Sequence, residues 1–323
     1  MEPEKIRDHA VSPVRNQEPD NKDHIKKPGK TARSKIERPK KVGLRKRRKS
    51  ITILIHICII ALGLIMLYPL LWMVAASFKE NTEIFQGSAF FPSNITFENY
   101  MQGWLGLSGT TFSRFFLNSA IIVALAIAGN VIACSMAAYA FARLDFAFKK
   151  TLFALMLATL MLPFHVTVIP QYIIFNYLDW INTYLPLTLP KFLATEGFFI
   201  FLMVQFMRSI PRELEEAAKI DGCGQIRMYW QLIIPLSVPA LVTTMIFTFI
   251  WTWNDFFSQL LYLSDIKLYT VAIALRMFVD SMGQSSWGAL FAMSTLSLIP
   301  LFVVFIFFQK YIIEGITAGS VKG

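Results

Sequence analysis

"SIPRELEEAAKIDGCGQIRMYWQLIIPLSVP", Ser209 to Pro239, is charged and helix-prone, yet it lies between two long apolar runs. Pro211 stands where a first helical turn tolerates proline. Glu213, Glu215 and Glu216 suit the positive N-terminal end of that helix, and Gly222 can take the left-handed conformation that stops it. Beyond the stop, Ile226, Tyr229, Trp230 and Ile233 recur at i, i+3, i+4 and i+7 and form one apolar stripe, before Pro235 and Pro239 mark entry into the next apolar run. The stretch therefore reads as helix, hinge and amphipathic helix, folded back on a membrane. Ala217, Ala218 and Gly222 leave a shallow surface, flanked by carboxylates, into which a partner's groove could close. By these residues alone a solvated amphipathic loop fits as well.

The rest of the chain explains why a membrane enters. Of 323 residues 55% are hydrophobic and 16% charged, with a mean hydropathy of +0.50, too apolar for an ordinary soluble domain. Apolar runs near the roughly 20 residues needed to span fall at about 51–76, 115–141, 151–170, 192–208, 236–258 and 288–309. The fourth is interrupted at its start by Glu196 and Gly197. The bracket Pro163 to Pro190 breaks the third near its outer end, which is tolerated where protein or a water-filled cavity satisfies the freed backbone groups.

Six spans put both termini on one side, and the basic residues choose it. Lys41, Arg45, Lys46, Arg47, Arg48 and Lys49 precede span one. Arg143, Lys149 and Lys150 fill the 2–3 loop, and Arg208, Arg212, Lys219 and Arg227 fill the 4–5 loop, with Lys310 and Lys322 after the last span. Only Lys79, Arg114, Lys191, Lys267 and Arg276 fall outside. The termini and the opening stretch are expected in the cytoplasm. Residues 1–50 hold 17 Lys and Arg against 7 Asp and Glu, the whole net charge of +10. They contain no aromatic residue to stack on bases, so they read as a disordered basic tail facing anionic lipid rather than nucleic acid. The outer loop Ser77 to Ser113 is expected to form short helices at the membrane surface.

Several segments carry a resemblance. "EEAAKIDGCGQIRMYWQLIIPLSVPAL" resembles the EAA loop of ATP-binding-cassette importer permeases, which has Glu-Ala-Ala, three residues, Gly, then a spaced Ile-x-x-Pro. Glu216, Ala217, Ala218, Gly222 and Pro235 stand at the matching places. "YPLLWMVAASFK", "NSAIIV", "AAYAFARLDF", "WNDF" and "QKYIIEGITAGSVKG" are similar to the carbohydrate subgroup, in particular to the smaller permease of maltose-type importers, and the likeness covers roughly Tyr68 to Gly323.

What the resemblance implies is an all-α integral membrane protein of the type I importer permease fold. It has six transmembrane helices over residues 51–314, with a coupling loop at 209–235 and a cytoplasmic tail at 315–323. It implies a permease subunit in a bacterial or archaeal cell membrane. The expected partners are a second permease, two ATPase subunits that bind the ATP and Mg, and an extracytoplasmic sugar-binding protein. Glu215, Glu216, Ala217, Ala218, Asp221, Gly222 and Pro235 would meet the ATPase. The tail, with Gly315, Thr317, Gly319 and Lys322, would thread between the two ATPase subunits, although by composition it is a flexible, slender terminus.

Candidate chemistry elsewhere is sparse. "PGKT" at Pro28 to Thr31 contains the Gly-Lys-Thr of a phosphate loop, but His24 stands where the first glycine belongs and no strand precedes it. Cys58, Cys134 and Cys223 are scattered and give neither a disulfide framework nor a metal motif. No catalytic constellation appears, so an enzyme is not expected, and no cofactor on this chain.

Polar groups within spans are costly and tend to line paths. Asn254 and Asp255 in "FIWTWNDFFSQLLYL", flanked by Trp251 and Trp253, suit the hydroxyls and apolar faces of a sugar. An interfacial or subunit-pairing role for Asp255, with the tryptophans as belt anchors, is the other reading, and in the resembled importers the sugar is held mainly by the other permease. The competing class is a secondary transporter or channel using Asp255 and His165.

Overall fold

The computed structural model describes residues 42–86, 89–106, 108–280 and 286–318, all helix, turn or loop. The chain divides at Ile60 into two units. Of the first, the described part is the beginning of helix α1 (Val42–Ala76), where His56 Nδ1 lies 2.6 Å from the Thr52 carbonyl. The helix starts inside the basic segment expected to lack structure, ahead of the apolar run at Ile51.

The second unit, residues 61–323, is organised around one long helix. This helix, α4 (Phe112–Arg143), follows two short helices, α2 (Asn81–Gln86) and α3 (Glu98–Leu105), within the Ser77–Ser113 loop. Next come α5 (Lys149–Thr159) and α6 (Phe164–Tyr177), bent by 101° at the break that Pro163 enforces, because the residue before a proline is pushed out of helical geometry. The fourth apolar run is longer than its sequence signal. Helix α7 (Leu185–Thr188), a 3-10 turn (Leu189–Leu193) and α8 (Gly197–Ser209) together span Leu185–Ser209, with left-handed Ala194 and then Glu196 at the joint.

Helix α9 (Glu213–Ile220) and α10 (Gln225–Met228) flank the hinge. A π-helical turn (Tyr229–Ile233) and α11 (Ile234–Leu236) lead into α12 (Val238–Asn254). The chain closes with α13 (Phe257–Tyr262), a 3-10 turn (Ile266–Leu268), α14 (Val271–Asp280) and α15 (Trp287–Ala318). Four helical stretches, Thr52–Ala76, Phe112–Arg143, Leu185–Ser209 and Trp287–Tyr311, are long and apolar enough to cross a membrane. The bent pairs α5–α6 and Gln225–Leu236 with α12 raise the number to six.

Helix α4 packs against α8, α12, α14 and the 189–193 turn. Its small residues allow close approach: a side chain at Gly129 would meet the Lys191 backbone at 2.9 Å. Its polar residues find partners within the bundle. The Asn118 amide donates to the carbonyls of Lys267 (2.9 Å) and Tyr269 (2.8 Å), the Ser119 hydroxyl accepts from the Val271 N–H (3.0 Å), and Asn130 donates to the Thr248 hydroxyl (3.0 Å). Such bonds offset the cost of burying polar groups, and each ties α4 to a neighbour, although the Asn130 side-chain oxygen accepts no bond among the described residues.

Three apolar cores line up along α4. One, at its C-terminal end, joins Tyr139 and Ala142 to Phe199, Met203 and Met207 of α8 and to Met228, Tyr229 and Ile233. Another joins Phe112 and Phe115 to Trp253, Phe278 and Met293. The third gathers Ile122, Phe175, Leu187 and Tyr262. The first core seats the hinged hairpin, and the third lies under a polar cavity.

Candidate functional site

The helix–hinge–helix unit is present as the sequence leads one to expect. Helix α9 ends at Ile220, and Gly222 takes φ +77 with nothing within 4 Å of where a Cβ would stand. Three glutamates occupy the first turn of α9, where the helix dipole favours them. Their surroundings differ: Glu215 is buried, whereas Glu216, Ala217, Asp221 and Pro235 are exposed and Ala218 is half-buried. Glu216 thus presents its carboxylate outward, while Glu215 faces the permease itself.

The expected apolar stripe is split. Tyr229 and Ile233 are buried in the first core, whereas Ile226 is 79% exposed and Trp230 57% exposed. Ile226 and Trp230 lie on one edge of the stripe and Tyr229 and Ile233 on the other, and within it a π-turn, in which the Ile234 N–H reaches back to the Tyr229 carbonyl, precedes Pro235. With Ile220, 86% exposed, Ile226 and Trp230 form an open apolar surface around the hinge.

The inward side of the hairpin is held by a ladder of α4 residues spaced by four, Ser135, Tyr139 and Arg143, which share one helix face. The Ser135 and Tyr229 hydroxyls are 2.7 Å apart, and the Tyr139 hydroxyl donates to the Gln225 side-chain carbonyl at 2.8 Å. Arg143 Nε lies 2.9 Å from Glu215 Oε1, an ion contact off the N–H axis, with side-chain exposures of 3% and 9%. Arg143 Nη2 also donates to the carbonyls of Met207 and Ile210, the latter at 2.7 Å. None of these α4 residues was a sequence candidate. The sequence signal that could have found them is the i, i+4, i+8 polar spacing at the end of an otherwise apolar run.

The second candidate set comes together in part. Trp251, Asn254 and Asp255 line a cavity of about 450 Å³ with Lys191 and Ser258. A neighbouring cavity of about 480 Å³ shares Lys191, Asp255 and Ser258 and adds Gln171, Trp180 and Glu196. Lys191 and Glu196 form an ion pair, and Asp255 Oδ1 accepts from the Ser258 N–H at 3.0 Å. Trp251 is 47% exposed and rests on Phe199, ring centroids 5.1 Å apart. Trp253 departs from expectation: it is buried on the opposite side of α12, stacked on Phe249 at 5.6 Å, and donates its indole N–H to the Ser297 carbonyl at 3.2 Å. At neighbouring-odd positions on a helix, 251 and 253 point about 200° apart, so one tryptophan serves the cavity and the other the core.

His165 packs edge-on to Phe257 at 5.8 Å and is not among the residues lining either cavity with Asp255. Among the described residues no group of His, Cys, Asp and Glu is arranged to hold a metal ion. The C-terminal candidates fall differently from expectation: Gly315 and Thr317 belong to the backbone of α15, which stays helical to Ala318, and Gly319 and Lys322 lie outside the described residues. The apolar run before Gly315 carries the helix through a glycine that costs only about 1 kcal/mol.

Among the described residues, then, the chain is an all-helical bundle with a hinged, surface-presented hairpin between two candidate spans and a polar cavity beside α12, an arrangement that fits a membrane transport subunit. Residues 129–317 match the family described as the binding-protein-dependent transport system inner membrane component, and the chain belongs to that family. It is 39% identical over 256 residues to the probable ABC transporter permease protein YurM of Bacillus subtilis (strain 168), covering 79% of this chain and 84% of that one. It is 35% identical over 273 residues to the trehalose/maltose transport system permease protein MalG of Thermococcus litoralis, covering 84% and 97%.

Among solved structures it is similar to a chain from a bacterial ABC transporter involved in the import of the acidic polysaccharide alginate, with a TM-score of 0.72 over 81% of this chain and 96% of that one; at 22% identity the likeness is one of fold. The chain is therefore a permease subunit of a binding-protein-dependent importer and an inner membrane component. The secondary-transporter alternative finds no support in this kinship.

Proposed function

We propose that this permease imports a neutral sugar or oligosaccharide, and that the Ser209–Pro239 hairpin is its coupling element. In this reading the hairpin docks in a cleft of an ATPase subunit, Glu216 meets a basic surface there, and Ile220, Ile226 and Trp230 fill the apolar floor. ATP and Mg are bound by the ATPase pair, and a second permease completes the translocation path. The observation that carries the reading is the two-faced hairpin: an outer face left open and apolar around a left-handed glycine, and an inner face gripped by α4. A solvated loop has no use for that combination, since large exposed apolar side chains clustered at one place mark an interaction surface.

The substrate class rests on the cavity. Trp251 and Trp180 offer aromatic faces, and Asn254, Gln171 and Ser258 offer hydrogen-bonding groups. Lys191 is already paired with Glu196, so the lining offers no unpaired cation to an anion and its hydrogen-bonding groups suit a polyhydroxyl ligand. Relatives named for trehalose/maltose and for arabinooligosaccharide transport support a saccharide. The deciding experiment is purification of the tagged permease from its native membrane with whatever ATPase accompanies it, then uptake assays in proteoliposomes with the cognate binding protein. The proposal expects ATP-dependent uptake of the sugar that protein holds, and Glu216→Lys should release the ATPase. Uptake that persists without ATP would overturn it.

A further inference from the structure

We propose that Arg143 is the positioning residue that makes α4 and the Ser209–Pro239 hairpin move as one body, so that a push on the hairpin reaches the cavity wall. This rests on the coupling reading and assigns it a transmission part.

The Arg143 guanidinium has three partners. It sits at the C-terminal end of α4, takes the carbonyls of Met207 and Ile210 at the C-terminal end of α8, and faces the Glu215 carboxylate in the first turn of α9. The C-terminal end of α8 is negative and the Glu215 carboxylate of α9 adds its charge, so three contacts from two elements converge on one cation of α4. Only a planar group with several fixed donors reaches all three; a lysine ammonium at the same place would hold fewer at once.

The placement is costly if stability alone were served. Removing both charges from water is poorly repaid, and an apolar pair of similar volume holds two helices as well or better. What a buried ion pair with added hydrogen bonds does supply is a single allowed geometry. Between α8 and α9 the chain has only Ile210–Arg212, including Pro211, and the clamp spans this link, so the hairpin cannot pivot there without breaking three contacts. The Tyr139–Gln225 and Ser135–Tyr229 contacts brace the second arm of the hairpin in the same way.

Beyond the clamp, α4 is continuous. Ile122 on the same helix lines the cavity that holds Asp255 and Trp251, and Asn118 and Ser119 grip the segment 267–271. At 1.5 Å per residue, Arg143 and Ile122 are roughly 30 Å apart along one rigid rod. A displacement at the docking surface therefore arrives at the cavity wall undiminished as long as Arg143 holds.

The test uses the complete native complex purified through a tag on this chain, with spin labels at Lys219 on the exposed face of α9 and Ile132 on α4, the native cysteines replaced by serine or alanine. In the wild-type background the distance distribution should be narrow and the same with and without ATP and vanadate. Arg143→Gln and Arg143→Lys should broaden it, keep the ATPase subunits bound, and lower uptake per ATP hydrolysed at least fivefold. A wild-type distance that shifts with nucleotide, or an R143Q distribution as narrow as wild type, overturns the proposal. If Arg143→Gln, Arg143→Lys and Glu215→Gln all remove the permease from the membrane, Arg143 is a folding residue and the proposal also fails. Glu216→Lys separates the two readings: an ATPase still bound in that variant contradicts the coupling assignment while leaving the label distances to judge the clamp.

Discussion

Gly222 and the two tryptophans of α12 show how much one position can decide. At Gly222 the backbone is left-handed, and any side chain with a Cβ incurs about 1–2 kcal/mol there, more for a β-branched one. Because the space around it is open, Gly222→Val meets no clash, and its whole effect is conformational. The variant should reach the membrane in normal amount and lose roughly tenfold in transport, with Gly222→Ala between it and wild type; immunoblots of membranes beside uptake rates check this, and normal uptake in the valine variant contradicts a hinge role. Trp251 and Trp253 make a paired experiment. Trp253→Ala removes a buried ring and leaves the Ser297 carbonyl without its donor, so it should destabilise the protein by about 3–5 kcal/mol and lower its melting temperature. Trp251→Ala, at a half-exposed cavity position, should leave melting almost unchanged and reduce uptake. A reversed pattern would mean that the cavity is not on the substrate path.

Among the elements, α4 carries the organisation, and its close approach to the 189–193 turn is the point where packing can be probed. Gly129→Val would place side-chain atoms within 3 Å of the Lys191 backbone, which cannot yield as a flexible side chain does. The expected cost is about 1–3 kcal/mol, and because Lys191 lines the cavity, uptake should fall further than Gly129→Ala predicts from melting alone. A Gly129→Val protein with wild-type melting and uptake would show that the turn can retreat. How far such elements are legible beforehand depends on whether the signal is local. Pro163 and Gly222 announce the break in the third span and the stop of α9, because each acts through its own backbone. The Arg143–Glu215 contact, by contrast, joins residues far apart in sequence, and no periodicity in either segment points to the other. Trp253 is illegible for a related reason: "WTWND" gives the composition of a sugar-binding face, but only the packing of α12 against α15 tells which tryptophan faces the core. The π-turn is equally hidden, since Pro235 signals a disturbance without saying what form it takes.

At the scale of the whole molecule, orientation is the property on which the coupling reading depends, and Cys223 reports it. An even number of crossings returns the chain to its starting side, so Val42 and Ala318 share a compartment if both bent pairs span. On that reading the Lys and Arg of the 2–3 and 4–5 loops predict a cytoplasmic hairpin, because basic loops resist translocation. Cys223 sits in the hinge and is half-buried, Cys134 is buried, and Cys58 is exposed on α1. A Cys58→Ser protein therefore offers one accessible thiol. A membrane-impermeant maleimide should label it in inverted vesicles and not in intact cells. If the hairpin is a docking surface, labelling in the vesicles should rise several-fold after a urea wash strips peripheral subunits, because a partner seated on Ile220 and Ile226 covers the hinge between them. Labelling from the outside of intact cells would reverse the topology, and labelling indifferent to the wash would leave the exposed apolar face without its partner.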